Sequence, residues 1–196
     1  VYLGAPGSAL TAATEVVANA TFPVASDFLN VSPGSYRASV ALDGTTNEAI
    51  GLDANITNGL DVSVFAIGLL GGSGNQALRL NVYPDDLNAP AAGKAKLRVL
   101  HLSPEAPAVD VVVLSAPGVI ASRVVPNLSF PNAAATYLEL DPGTYTTAVV
   151  PTGANAPVLP LDFESYAASL RDFVRGLDAI PGATEHLEME RLVAGV

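Results

Sequence analysis

The chain has 196 residues, a formal net charge of −10, no cysteine, and 14% charged against 49% apolar residues. That length allows two domains of about 100 residues, each with its own core, and the apolar content excludes a disordered chain. The acidity argues against nucleic acid, and the missing cysteines exclude a disulfide scaffold, thiol chemistry and cysteine metal sites.

In chain order, the first segment is V-Y-L-G-A-P-G at Val1–Gly7, and it returns as V-V-L-S-A-P-G at Val112–Gly118. Next come Asn19–Pro23 and Phe28–Tyr36, which return as Asn127–Pro131 and Tyr137–Tyr145. Ile50–Asp53 is matched by Leu159–Asp162, and Ile67–Leu69 by Arg175–Leu177. A duplicated domain fixes the organisation more firmly than any short motif. Matched apolar positions, namely Phe22/Phe130, Leu29/Leu138, Tyr36/Tyr145 and Leu52/Leu161, are expected to be buried in both copies.

Turn signals recur every eight to twelve residues, among them Ser32-Pro-Gly34, Asp43-Gly44, Asn58-Gly59, Asp141-Pro-Gly143 and Thr152-Gly153. Between them lie strand-like segments at Ser35–Leu42, Leu60–Leu69, Ala77–Tyr83, Leu97–Leu102, Val109–Leu114 and Thr144–Val150. Tyr166–Leu177 also reads as a strand, by analogy with its counterpart in the first copy. This spacing predicts an all-β chain of two tandem antiparallel immunoglobulin-like β-sandwich domains. The first is expected at 1–86 and the second at 97–196, joined by a polar linker at 87–96 that carries Lys94 and Lys96. Gly34 and Gly143, each after a proline, are expected at positive φ, and Tyr36 and Tyr145 to anchor the strands that follow.

The run R-V-L-H-L-S-P-E-A-P-A-V-D at Arg98–Asp110, with Y-L-E-L-D-P-G-T-Y at Tyr137–Tyr145, resembles the domain of unknown function 4397 family. The resemblance implies tandem β-sandwiches of secreted or surface-anchored proteins, and it carries no activity and no catalytic residues to transfer. By this pattern the second copy opens with Leu97–Val111, and the first copy begins at Val1 without that strand. Either residues before Val1 supply it or a neighbouring subunit does, as in donor-strand assembly. The expected assembly edge is at Val1, Tyr2 and Leu3.

Chemistry-bearing residues are few. His101, Ser103 and Asp110 invite comparison with a triad, but the first copy has none of them, and a structural role is the better reading. His186, Glu188 and Glu190 alternate along one strand and read as a solvated face rather than metal ligands. Asp85, Asp86 and Asp141 lack the spacing of a calcium loop, and the glycine-rich Gly68–Gly74 lacks the lysine of a phosphate loop and reads as a hairpin turn. Four Asn-x-Ser/Thr sequons, at Asn19, Asn30, Asn55 and Asn127, mark candidate glycosylation sites. The sequence thus leads to a non-enzymatic extracellular surface protein that assembles with copies of itself, without cofactor, metal or nucleic acid. An extracellular ligand- or polysaccharide-binding module is the alternative, weakened by the lack of tryptophan.

Overall fold

The computed structural model describes residues 1–20, 25–156, 159–165 and 189–191. Phe22, the strand expected at Tyr166–Leu177, His186 and Glu188 lie outside the described residues, as do the side chains of Leu161 and Glu190. The chain separates into two compact units, Val1–Asp85 and Asp86–Val196. Every pairing between named strands is antiparallel, so the chain is all-β with several antiparallel sheets. No helix among the described residues is long and apolar enough to cross a membrane.

In the first unit, β1 (Tyr2–Gly4), β2 (Thr14–Glu15), β3 (Gly34–Ala41) and β4 (Glu48–Ile56) form one sheet in the order β2-β1-β3-β4. A separate hairpin joins β5 (Val62–Ile67) to β6 (Arg79–Pro84). The glycine-rich Gly68–Gly74 lies in the connection of that hairpin. Gly68 has φ 92°, and a Cβ there would come within 2.4 Å of the Ala77 carbonyl oxygen.

In the second unit, β8 (Val109–Ala116), β9 (Val119–Leu128), β11 (Gly143–Pro151) and β12 (Leu159–Ser165) form a sheet in the order β12-β11-β8-β9. A second sheet holds β10 (Leu138–Leu140), β7 (Ala95–Val99) and β13 (Met189–Arg191), with β7 in the middle. Ala95 and Lys96, expected in the linker, already belong to β7. The basic side chain of Lys96 is drawn into the strand by Asp86, whose carboxylate it reaches at 2.5 Å.

The four-stranded sheets of the two units repeat one another in order and in register. Ala38 faces Leu52 as Thr147 faces Leu161, and Tyr36 faces Ala54 as Tyr145 faces Phe163. The corner tyrosines also agree, with Tyr36 Oη donating to Ser32 O at 2.9 Å and Tyr145 Oη to Asp141 O at 2.7 Å. At β1 the ladders correct the sequence match by one residue. Tyr2 pairs with Ser39 and Glu15, as Val112 pairs with Ala148 and Arg123. Register shifts along β8 after Val113 accommodate the extra residue of the second copy.

Gly34 and Gly143 are not among the glycines at positive φ. At Gly34 the reason for glycine lies in the tyrosine two residues on. A Cβ on Gly34 would approach the Tyr36 ring, which folds back to reach the Ser32 carbonyl, at 3.3 Å and crowd it. One on Gly143 would meet the Tyr145 ring at 3.9 Å, an ordinary contact.

Burial differs sharply between the units. Leu97 and Val99 of β7 share one core cluster with Val109, Val111, Val125, Leu128 and Val149, so the two sheets of the second unit meet through apolar side chains. Val112, Ala148 and Val150 form a further buried cluster. In the first unit only Ser39, Ile67 and Tyr83 among the described residues are buried to that degree. Phe28, Leu29, Leu42, Leu60, Val64, Leu70 and Val82, all in the first unit, are exposed large hydrophobics. The expected burial of Leu29 is not met, since it is 48% exposed, while its counterpart Leu138 packs beside the core cluster.

Candidate functional site

The polar residues of greatest interest converge on β7 and the turn that follows it. Strand residues normally alternate between a core face and a wet face. Here Lys96, Arg98, His101 and Ser103 are all buried, alongside Leu97, Val99, Leu100 and Leu102. Lys96 Nζ donates to Asp86 and to the Asn88 carbonyl at 2.8 Å. Its charge lies 5.8 Å from the centre of the Tyr137 ring, and the Arg98 guanidinium lies 5.4 Å from the same ring. The Tyr137 hydroxyl accepts the backbone N–H of Asp86 at 3.2 Å. Tyr137 therefore forms a cover over two cations, an arrangement worth about 1 kcal/mol or more for each when water is excluded. The hydrogen bond from Lys96, with those from Asn88, holds the Asp86 carboxyl below its ordinary pKa.

His101 is 1% exposed, and its Nε2 stands 3.0 Å from the Pro107 carbonyl. Because a carbonyl only accepts, Nε2 carries the proton and Nδ1 is left with its lone pair. Nδ1 of His101 and the hydroxyl of Ser103 are both buried without a hydrogen-bond partner. Phe130 meets the imidazole edge-on at 6.5 Å. Burial pushes the His101 pKa down, against the opposing pull of the Pro107 carbonyl.

Asp110 does not orient His101. Its carboxylate forms an ion pair with Arg123 and accepts the Asn127 backbone N–H at 2.7 Å and the Thr152 hydroxyl at 3.2 Å. Arg123 continues to the Ala154 carbonyl at 2.6 Å and to Asn155 Oδ1 at 3.0 Å. Burial alone would raise the Asp110 pKa. The N–H groups of Asn127 and Gly153, the Thr152 hydroxyl and the Arg123 charge outweigh it and hold the carboxyl below its ordinary value. This hub ties β8, β9 and the turn after β11 together. Ser103, His101 and Asp110 do not form the linked hydrogen bonds of a triad.

Arg123 is the residue that sequence reasoning missed. The signal would have been an arginine in a strand beside a lone aspartate, but β9 contains Pro126 and Asn127 and does not read as a strand. Asn127 has φ 50°, and Asn19, its repeat counterpart, has φ 52°. Asparagine tolerates this left-handed conformation better than most residues. The Asn127 amide, turned out of the ladder at an irregularity of β9, finds Asp110 instead.

The sequon asparagines Asn19, Asn30, Asn55 and Asn127 are all exposed. No group of three or more metal-binding side chains occurs among the described residues. The carboxylates weighed for calcium are engaged elsewhere. Asp85 accepts from Ser63 at 2.9 Å, Asp86 from Lys96, and Asp141 from Lys94 at 2.6 Å. In the first unit Arg37 bridges Glu48 and Asp53, and Ser39 donates to Glu48 at 2.6 Å.

Tyr2 and Leu3, expected at an assembly edge with Val1, have ladder partners on both sides, in β2 and in β3. The carbonyl of Val1 likewise accepts the Val16 amide at 2.9 Å. An incoming strand would find no room there. The units differ elsewhere. Leu138–Leu140 is a strand hydrogen-bonded to β7, whereas the matching residues 29–31 form no strand.

Fold and site together define an all-β protein of repeated antiparallel sheets whose buried polar groups tie its own strands together. Residues 3–112, more than half of the chain, match the family described as Domain of unknown function (DUF4397), and the chain belongs to that family. The match takes in the first unit and the Arg98–Asp110 motif, and it ends before Tyr137–Tyr145. No curated protein and no solved structure matches the chain.

Proposed function

We propose that the chain is a non-enzymatic extracellular structural or adhesive protein, built of two tandem immunoglobulin-like β-sandwiches and joined to copies of itself at the cell surface through β-strand contacts. The supporting observation is the contrast between the units. Among the described residues, seven of nine exposed large hydrophobics fall in the first unit, while the second encloses an apolar cluster. Concentrated apolar exposure marks an interaction surface more often than a solvated one. The polar groups that could suggest chemistry are engaged within the fold or enclosed by it, as Asp110 and His101 illustrate. The four exposed sequons suit glycan attachment on the same extracellular surface, and no cofactor, metal or nucleic acid has a part in this reading.

Negative-stain microscopy of native material tests the proposal. Filaments or a regular layer built from the chain are expected, and dispersed monomers under native conditions would overturn it. Mass spectrometry of the same material reads the glycans on Asn19, Asn30, Asn55 and Asn127.

A further inference from the structure

We propose that Asn58 is a site of spontaneous covalent modification. In the folded chain the Gly59 backbone nitrogen attacks its side-chain amide, which is lost as ammonia and leaves aspartate or isoaspartate. The proposal stands independently of the assembly reading.

Asparagine is among the thermolabile residues, and Asn58 is the only one in the chain followed by glycine. The pair forms the centre of the turn between β4 and β5. Leu60 N donates to Thr57 O at 3.3 Å, Gly59 has φ 74°, and Asn58 is not among the residues at positive φ. That combination is a type II turn, whose third position needs a positive φ and so favours glycine. The turn bond does not use the Gly59 N–H. Among the described residues no hydrogen bond engages that N–H or the Asn58 side chain. Residues 57–61 are all exposed, and a Cβ on Gly59 would meet nothing within 4 Å. Nucleophile and electrophile are therefore adjacent, unengaged and open to water.

The chemistry balances with water as the only co-reactant. A bond forms between Gly59 N and Asn58 Cγ, closing a five-membered imide. The bond from Cγ to Nδ2 breaks, and Nδ2 leaves as ammonia with the proton given up by Gly59 N. Water then opens the imide at either carbonyl. Breaking the new bond gives aspartate, whereas breaking the original peptide bond routes the main chain through Cβ and gives isoaspartate. Either product carries a new carboxylate three residues from Asp61. The isoaspartate form also adds one main-chain atom between β4 and β5.

Glycine matters twice, because it permits the turn and places no Cβ beside the attacking nitrogen. Other asparagines fail on both counts. Asn81, Asn88 and Asn132 precede Val82, Ala89 and Ala133, and their amides donate to Tyr83, Asp86 and Ser129. Asp43-Gly44 occupies a similar turn, with Thr45 N on Leu42 O at 3.0 Å and Gly44 at φ 69°. Its carboxylate is a poorer electrophile than an amide, so ring closure there is slower.

The test holds the full chain, folded and in parallel unfolded in urea, in mildly alkaline buffer and follows it by peptide mass spectrometry. In the folded chain the peptide containing Asn58 should become about one dalton heavier, ahead of every other asparagine. An isoaspartyl methyltransferase should label the aged chain and not the fresh one. Asn58→Gln, whose longer side chain closes a ring far less readily, should remove the mass gain and most of the label. Because Asn58 is exposed, that variant leaves the fold intact. A mass gain at Asn58 confined to the urea-unfolded chain would overturn the proposal. Earlier reaction at another asparagine of the folded chain, or equal labelling of aged Asn58→Gln, would overturn it as well.

Discussion

Asp110 shows how a buried charge can hold strands in place. A carboxylate taken out of water is costly unless it is paired and hydrogen-bonded, and Asp110 gathers Arg123, Asn127 and Thr152 around it. Asp110→Asn keeps the shape but removes the charge, and should lower unfolding stability by about 2 kcal/mol in urea titrations. His101 makes a prediction of opposite chemistry. Its folded-state pKa lies below the ordinary value of 6.5, so the unfolded chain binds its proton more readily. The contribution is complete above about pH 6.5 and is lost as pH falls through the folded pKa. Stability curves at stepped pH should therefore decline on the acid side of neutrality, and His101→Gln should flatten that decline. Asp110, whose pKa is also depressed, adds stability that persists above the ordinary carboxylate range and disappears only at lower pH, as its folded pKa is crossed.

At the scale of elements, β3, β5, β6, β7, β8 and β11 were legible because each is a β-rich run bounded by turn residues. β4 and β9 were not singled out. In β4 Ile50, Leu52, Ala54 and Ile56 alternate regularly with Gly51, Asp53 and Asn55, but glycine, aspartate and asparagine are residues that strands disfavour and that turns share. In β9, Pro126 and Asn127 speak against a strand, yet β9 lies at the sheet edge, where a missing backbone donor is tolerated. Leu29 was misplaced for a tertiary reason: its pattern is that of a buried strand, but burial depends on a neighbour that its own sequence cannot reveal. The hairpin connection gives a sharp element-level test. Gly68 combines φ 92° with a close backbone approach to Ala77, so Gly68→Ala should cost about 1–3 kcal/mol and lower the thermal midpoint. The neighbouring Gly71→Ala meets no atom within 4 Å and should suffer only from its own positive φ.

At the scale of the whole molecule, the two units share one four-stranded sheet order and have unequal cores among the described residues. The second unit encloses Val99, Leu100, Val111, Val112 and Val150 almost completely, whereas the first leaves much of its apolar surface wet. The assembly reading holds that contact with neighbouring copies covers exposed hydrophobics of the first unit, Phe28 and Leu29 among them. Hydrogen–deuterium exchange on native assemblies, compared with dispersed subunits, tests it most directly. The account predicts that amides between Phe28 and Val31 exchange freely in the subunit and become protected in the assembly, while those of β8 and β11 are protected in both. Free exchange at Phe28–Val31 in both states would contradict it.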